Sequence, residues 1–286
     1  MKIAFLIPSK DGGEDYFGVL ESIERNVDYA FRAGFKFEYK IIFSINGDPT
    51  KPLSFLRSIF LKSHIEVLTT DRLGKVRSIN LALEQVHPDF LVISDDDVTF
   101  SDTILTRALQ ELTNNKDLQV IGFESQAIPY PRRNIFKRFS YDIINIRSLK
   151  NLFEDIDPFL MGRLLVMRKT TWNVPDEIIN EDQYLSLAHN GKYKILKEKI
   201  SYEGTSSFRQ HIRRVLRLEA GRKQLSQLFK GKGTSNEPVV VTRIINKKKL
   251  ASLNLYYRIC YHLYGVLRFF TNKFVPLFMN HKTNYW

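Results

Sequence analysis

Within the first hundred residues, short apolar runs alternate four times with stretches whose apolar residues recur every three or four positions. Lys2 to Pro8 reads as a buried strand, and Tyr16 to Arg32, with Phe17, Leu20, Ile23, Val27 and Phe31 apolar, as an amphipathic helix. A second strand from Tyr39 to Ile45 precedes a helix from Pro52 to about Lys62, and a third, Ile65 to Thr69, precedes a helix opening at Gly74-Lys75 and running to about Gln85. Phe90 to Ser94 is the fourth strand, and it runs straight into Asp95-Asp96-Asp97. This order predicts an α/β fold, a mostly parallel sheet flanked by helices. Ligands bind such sheets off the carboxyl ends of the strands. The polar clusters at Ser9 to Gly13, Asn46 to Asp48 and Asp95 to Asp97 all fall there, so they are expected to share one cleft.

A chain of 286 residues can bury a full core, and 43% apolar with 26% charged residues excludes disordered, collagenous and disulfide-framework classes. The single cysteine, Cys260, can form neither an internal disulfide nor a cysteine-based zinc site, which suits a reducing compartment. The net charge of +12 is unevenly spread. Residues 1 to 204 hold 27 Lys/Arg against 29 Asp/Glu, whereas residues 205 to 286 hold 16 against only Glu219 and Glu237, a local net of +14. Any negatively charged partner is therefore expected at the C-terminal part. No targeting segment is expected from Ile3 to Ile7, and no run reaches the roughly 18 apolar residues of a spanning helix.

Three polar clusters carry chemistry. In an extended turn Asp95 and Asp97 point one way and Asp96 the other, so the first and third can share a hard cation; the same residues also fit a solvated turn capping the next helix. Glu181-Asp182 fits a catalytic pair or a helix N-terminus, where acidic residues are routine. Gln210-His211-Ile212-Arg213-Arg214 lies in a helix and fits a diphosphate clamp or a solvated basic face.

Taken in order, these segments resemble the nucleotide-sugar glycosyltransferases of family 2, with the GT-A fold. Ile3 to Ser9 is similar to that family's opening strand and Pro-Ser/Thr turn, Gly74 to Asn80 to its Gly-Lys helix, and Ile93 to Asp97 to its Asp-x-Asp strand end. Met161-Gly162-Arg163 to Arg168, followed by Glu181-Asp182, is similar to the acceptor-side segment, and Gln210 to Arg214 to the Gln-x-x-Arg-Trp motif. The likeness extends over roughly residues 1 to 225. Two departures stand out: the second strand ends in Asn46-Gly47-Asp48 instead of Asp-Asp-Gly-Ser, and Arg214 stands where processive synthases carry Trp. The second departure, with the lack of membrane helices, favours transfer of one sugar over polymerisation.

The resemblance implies an inverting transferase that moves a sugar from a UDP- or GDP-linked donor to a hydroxyl of a glycan or lipid-linked acceptor. It implies Asp182 as the catalytic base with Glu181 as alternate, Mg2+ or Mn2+ on Asp97 and Asp95, and Gln210, Arg213 and Arg214 at the diphosphate or acceptor. Pro8, Ser9, Lys10, Asn46, Asp48, Lys75, Asp95 and Asp96 form the expected donor-binding set, although Lys10 and Lys75 fit equally as surface lysines. The expected division is a catalytic domain over 1–225, nucleotide-binding to residue 100 and acceptor-side beyond it, then a basic, aromatic-rich helical extension over 226–286. From Leu255 to Phe270 that extension has apolar residues at helical spacing behind Lys247-Lys248-Lys249. It fits a cytoplasmic protein held at the inner face of an anionic membrane, or a helix packed on its own domain or a second subunit. A nucleotidyltransferase is the alternative enzyme, but no Gly-rich pyrophosphate loop supports it. A nucleic-acid binder lacks any recognition motif, so no nucleic-acid partner is expected.

Overall fold

The computed structural model describes residues 1–10, 16–47, 64–70, 74–130, 134–152, 159–189, 191–230 and 245–278. Asp48 and the helix expected over Pro52 to Lys62 lie outside these residues. In chain order the elements are β1 (Lys2–Lys10), α1 (Tyr16–Arg32), β2 (Glu38–Asn46), β3 (Ile65–Thr70), α2 (Lys75–Gln85), β4 (Phe90–Ser94), β5 (Val98–Phe100) and α3 (Ile104–Asn114). They continue with β6 (Val120–Ala127), α4 (Ile135–Leu149), β7 (Leu164–Arg168), α5 (Glu181–Ala188), β8 (Tyr193–Tyr202), α6 (Phe208–Leu228), α7 (Lys247–Ala251) and α8 (Leu255–Phe278).

The strands form one mixed sheet in the order β3-β2-β1-β4-β7-β6-β8-β5. β1 pairs in parallel with both β2 and β4, and β2 with β3, whereas β7 runs antiparallel to β4 and β6. All five residues of β4 are buried, as a central strand covered on both faces requires. The helix α1 is rotated from the stripe its apolar residues suggest. Tyr16, Leu20, Ile23, Val27 and Ala30 are buried, while Phe17 and Phe31 are 62% and 43% exposed. Two polar side chains share the buried face because their hydrogen bonds are met there. Ser22 donates to the Gly18 carbonyl, and Asn26 donates to Ser101 O and accepts from the Leu105 amide.

The chain divides into two compact units, Met1–Ser125 with Leu160–Ser201, and Gln126–Phe159 with Tyr202–Trp286. The segment holding α4 thus groups with the C-terminal helices. The second unit is organised around one face of α8. Cys260 is buried with Ile143, Ile146 and Leu152, and Tyr257, Tyr261 and Tyr264 pack on that cluster. Its lining is further tied by Tyr256 Oη, which donates to Asp142 Oδ2 at 2.8 Å. Among the described residues no helix is long and apolar enough to cross a membrane.

Candidate active site

The register of the sheet decides what surrounds the three aspartates. Leu6 stands opposite Ile93 in the parallel β1–β4 pair, so continuing the register sets Ser9 beside Asp96. Ser94 stands opposite Leu164 in the antiparallel β4–β7 pair, so the residues just beyond, Asp95 and Arg163, also meet, and the Asp95 amide donates to the Arg163 carbonyl at 2.9 Å.

The side chains diverge as an extended turn dictates. Arg163 Nη1 lies 3.6 Å from Asp95 Oδ2 and 3.4 Å from Asp97 Oδ1, so the first and third carboxylates face one cation. Asp96 turns to β1, where it accepts from the buried hydroxyl of Ser9; Tyr16 Oη lies 2.6 Å from the same hydroxyl. The aspartates do not cap the next helix, since β5 intervenes and α3 begins after Thr103 without a side-chain cap. Burial pushes Asp97 up to about 7; Arg163 opposes that rise, and Asp95 and Asp96 add to it. Burial likewise raises Asp96 to about 6 despite the Ser9 hydrogen bond. The guanidinium therefore only partly compensates this cluster.

Lys75 joins the aspartates to the second acidic pair. It opens α2 directly after Gly74, whose φ of 138° lies in a region closed to other residues in ordinary practice. Its Nζ lies 2.7 Å from Asp95 Oδ1 and 2.6 Å from Glu181 Oε1, and donates to the Gly162 carbonyl at 2.8 Å. With 14% of its side chain exposed, Lys75 is not a surface lysine. Burial alone lowers an ammonium's pKa, but Asp95 and Glu181 outweigh it and hold Lys75 above the usual lysine range.

Glu181 and Asp182 open α5 and turn apart, as adjacent helical residues must. Glu181 is spent on Lys75. Asp182 Oδ2 accepts from the Gly162 amide at 3.2 Å and Oδ1 from the Gln183 amide at 2.8 Å. Burial, then the charge of Glu181, pushes Asp182 up to about 6. Gly162 is needed for this close approach: a Cβ there would stand 2.8 Å from Glu181 Oε1 and 3.2 Å from Asp182 Cβ. The loop before α5 is anchored by Asn80 of α2, which accepts from Trp172 Nε1 at 2.7 Å and donates to Val174 O at 3.0 Å.

The structure thus gathers Ser9, Lys75, Asp95, Asp96, Asp97, Glu181 and Asp182 within the first unit. Pro8 is buried beside Ser9, and Asn46 ends β2 fully buried with its amide donating to Ser78 Oγ. Lys10 ends β1. Gln210, Arg213 and Arg214 belong to α6 of the second unit, where Gln210 Oε1 accepts from Ser206 and Arg214 Nη1 lies 3.5 Å from Thr205 Oγ1. Between them, His211 faces inward; burial, then Arg214, lowers its pKa to about 4 and keeps the imidazole neutral. Two contributors were not anticipated, Tyr16 and Arg163. Arg163 carried no periodicity, and only its place two residues after Met161 in the acceptor-side segment pointed to it.

Comparison with known proteins places this arrangement in a class. The family model for glycosyl transferase family 2 matches residues 16–170, more than half of the chain. The fold is similar to that of a mannosyltransferase from Pyrobaculum calidifontis, solved with GDP-mannose and Mn2+, at a TM-score of 0.56 and 13% identity, covering 95% of this chain and 75% of that one. It is also similar to mannosyl-3-phosphoglycerate synthase from Rubrobacter xylanophilus, at 0.51 and 12% identity, covering 81% and 75%. No curated protein matches the chain in sequence. The chain belongs to glycosyl transferase family 2. It is a glycosyltransferase with a GT-A-like mixed sheet, and its C-terminal helices are present.

Proposed function

We propose that the protein transfers a single sugar, with inversion, from a UDP- or GDP-linked donor to a hydroxyl of a glycan or lipid-linked acceptor. The observation that carries this reading is that Lys75 ties a three-aspartate strand end to a separate acidic pair. One carboxylate group then serves the departing diphosphate and the other the incoming hydroxyl.

Asp97 and Asp95 fit a divalent cation. Both face the same point, both offer hard oxygen ligands, and Arg163 alone leaves Asp97 raised to about 7. Asp97 and Asp95 would hold Mg2+ or Mn2+, which would supply Lewis-acid countercharge to the leaving diphosphate. Asp182 takes the acceptor's proton: raised to about 6, it is ionised at neutral pH yet basic enough to accept one. Glu181, paired to Lys75, is the alternate and holds the pair's geometry. Pro8, Ser9, Lys10, Asn46, Asp48, Lys75, Asp95 and Asp96 make up the donor side, and Gln210, Arg213 and Arg214 contact the diphosphate or acceptor. In this reading residues 1–225 form the catalytic domain, 226–286 are its extension, and the protein works from the cytoplasmic face of an anionic membrane.

Calorimetry of UDP- and GDP-sugars with and without Mn2+ tests it. Wild type is expected to bind one donor class with metal-dependent affinity, and Asp97→Asn to lose the metal-dependent part. Unchanged affinity in the variant overturns the metal assignment, and release of pyrophosphate instead of nucleoside diphosphate overturns the reaction class.

A further inference from the structure

The two faces of α8 have different fates. Tyr257, Cys260, Tyr261 and Tyr264 turn inward onto α4. On the other side Leu255, Ile259, Leu263, Val266 and Phe270 follow spacings of four, four, three and four, which lays them along one stripe. These five are between 40% and 74% exposed, and Phe269 beside them is 64% exposed. The start of α4 presents Ile135 and Phe136, 80% and 84% exposed. A shallow groove of about 380 Å³, lined by these two with Arg138, Phe139 and Tyr256, connects that tip to the first turn of α8. The apolar surface is therefore continuous across two helices of one unit. An exposed apolar patch of this kind marks a binding surface.

Its charges identify the occupant. Lys137 and Arg138 flank the α4 tip, Lys247 to Lys249 open α7, and Arg258 and Lys273 lie on or beside the outer stripe of α8, while residues 238–286 contain no aspartate or glutamate. The nearest acid on α4, Asp142, is buried and engaged by Tyr256 and by Arg138 at 3.7 Å. A second copy docked face to face would set these cations against one another, and neither α7 nor α8 carries a carboxylate to pair them. An anionic bilayer supplies both an apolar layer for the stripe and phosphates for the rim. We infer that the α4 tip, the groove and the outer stripe of α8 form one monotopic docking surface for an anionic lipid bilayer. The surface lies on the bilayer and does not cross it. This deepens the proposed use of a lipid-linked acceptor and rests on that reading only for its purpose.

Co-flotation of the full-length protein with phosphatidylcholine vesicles, with and without 30% phosphatidylglycerol, tests the inference. The expected result is binding to the anionic vesicles at low salt, at least tenfold weaker in 0.5 M salt and on neutral vesicles. The double variant Phe136→Glu/Phe270→Glu, whose sites are solvent-exposed, is expected to fold as wild type by circular dichroism and to lose vesicle binding more than tenfold. The triple variant Lys247→Ala/Lys248→Ala/Lys249→Ala is expected to weaken binding to anionic vesicles severalfold. Failure to float with any vesicle, equal binding to neutral vesicles, or wild-type binding by the double variant overturns the surface. A concentration-dependent dimer in ultracentrifugation that the double variant abolishes assigns the face to a second copy instead. Metal-dependent donor binding measured on the same preparations reports separately on the transferase reading, so either can fail alone.

Discussion

In the first unit, Lys75 is surrounded by Asp95, Glu181 and the Gly162 carbonyl, and Arg163 stands between Asp95 and Asp97, so five charges are held within one largely buried polar cluster at the strand ends. In the second unit the buried cluster is Ile143, Ile146, Leu152 and Cys260 under tyrosine rings, and an apolar stripe is left in solvent. The first arrangement inverts what burial normally selects, and the second leaves in water what burial normally removes. On the proposed reading, charges are kept inside to act on a reaction, and apolar side chains are kept outside for another surface to cover. Each arrangement costs stability, and the cost indicates where function resides.

The comparison can be broken most directly at Asp182. Asp182→Asn is expected to lower sugar transfer by roughly 10²- to 10⁴-fold while donor affinity stays within a factor of two or so, because the group acts only on the moving proton. Steady-state kinetics with donor calorimetry check it. If Glu181→Gln shows that pattern instead, the base is the other member of the pair.

Lys75→Met leaves Glu181 buried without its cation, at a cost of about 3–5 kcal/mol in unfolding free energy. Adding Glu181→Gln is expected to recover most of that loss, a coupling that denaturant titration of the single and double variants measures. A loss under about 1 kcal/mol would show that the network does not organise the first unit.

The second unit responds differently. Ile146→Ala, at a fully buried position, is expected to cost about 2–5 kcal/mol through the cavity it leaves, with no change in metal-dependent donor affinity. Denaturant unfolding and donor calorimetry on one preparation sharpen the contrast between a packing core and a charge core.

The smallest effects come from pH. With Asp182 held at about 6, turnover is expected to fall about tenfold between pH 7 and pH 5 as the base protonates. Stability moves the other way. The folded pKa is raised above the ordinary 3.8, so the group's contribution is fully present below about 4 and is lost as pH rises through 6. Thermal unfolding should therefore find Asp182→Asn more favourable relative to wild type at pH 8 than at pH 4.

The alternation of short apolar runs with amphipathic stretches was enough to place β1 to β4 and to set polar turns at their ends, because strand and helix periods are local properties of the chain. It also sufficed for the opposed directions of Asp95 and Asp96, which follow from the pleat alone. The pairing β4–β7 was not written locally. An antiparallel register joins residues nearly seventy positions apart, so Arg163 acquires its role only when the sheet assembles, and Tyr16 likewise meets Ser9 only through α1 packing on β1. Lys75 was equally ambiguous until Glu181 and Asp95 closed on it. On α8 the sequence specified that apolar residues encircle much of the helix, and the tertiary structure decided which of them face the core. Tyr257, Tyr261 and Tyr264 have a partner in α4, whereas Leu255, Ile259 and Phe270 stay exposed; burial depends on what packs opposite, and a single helix carries no record of that.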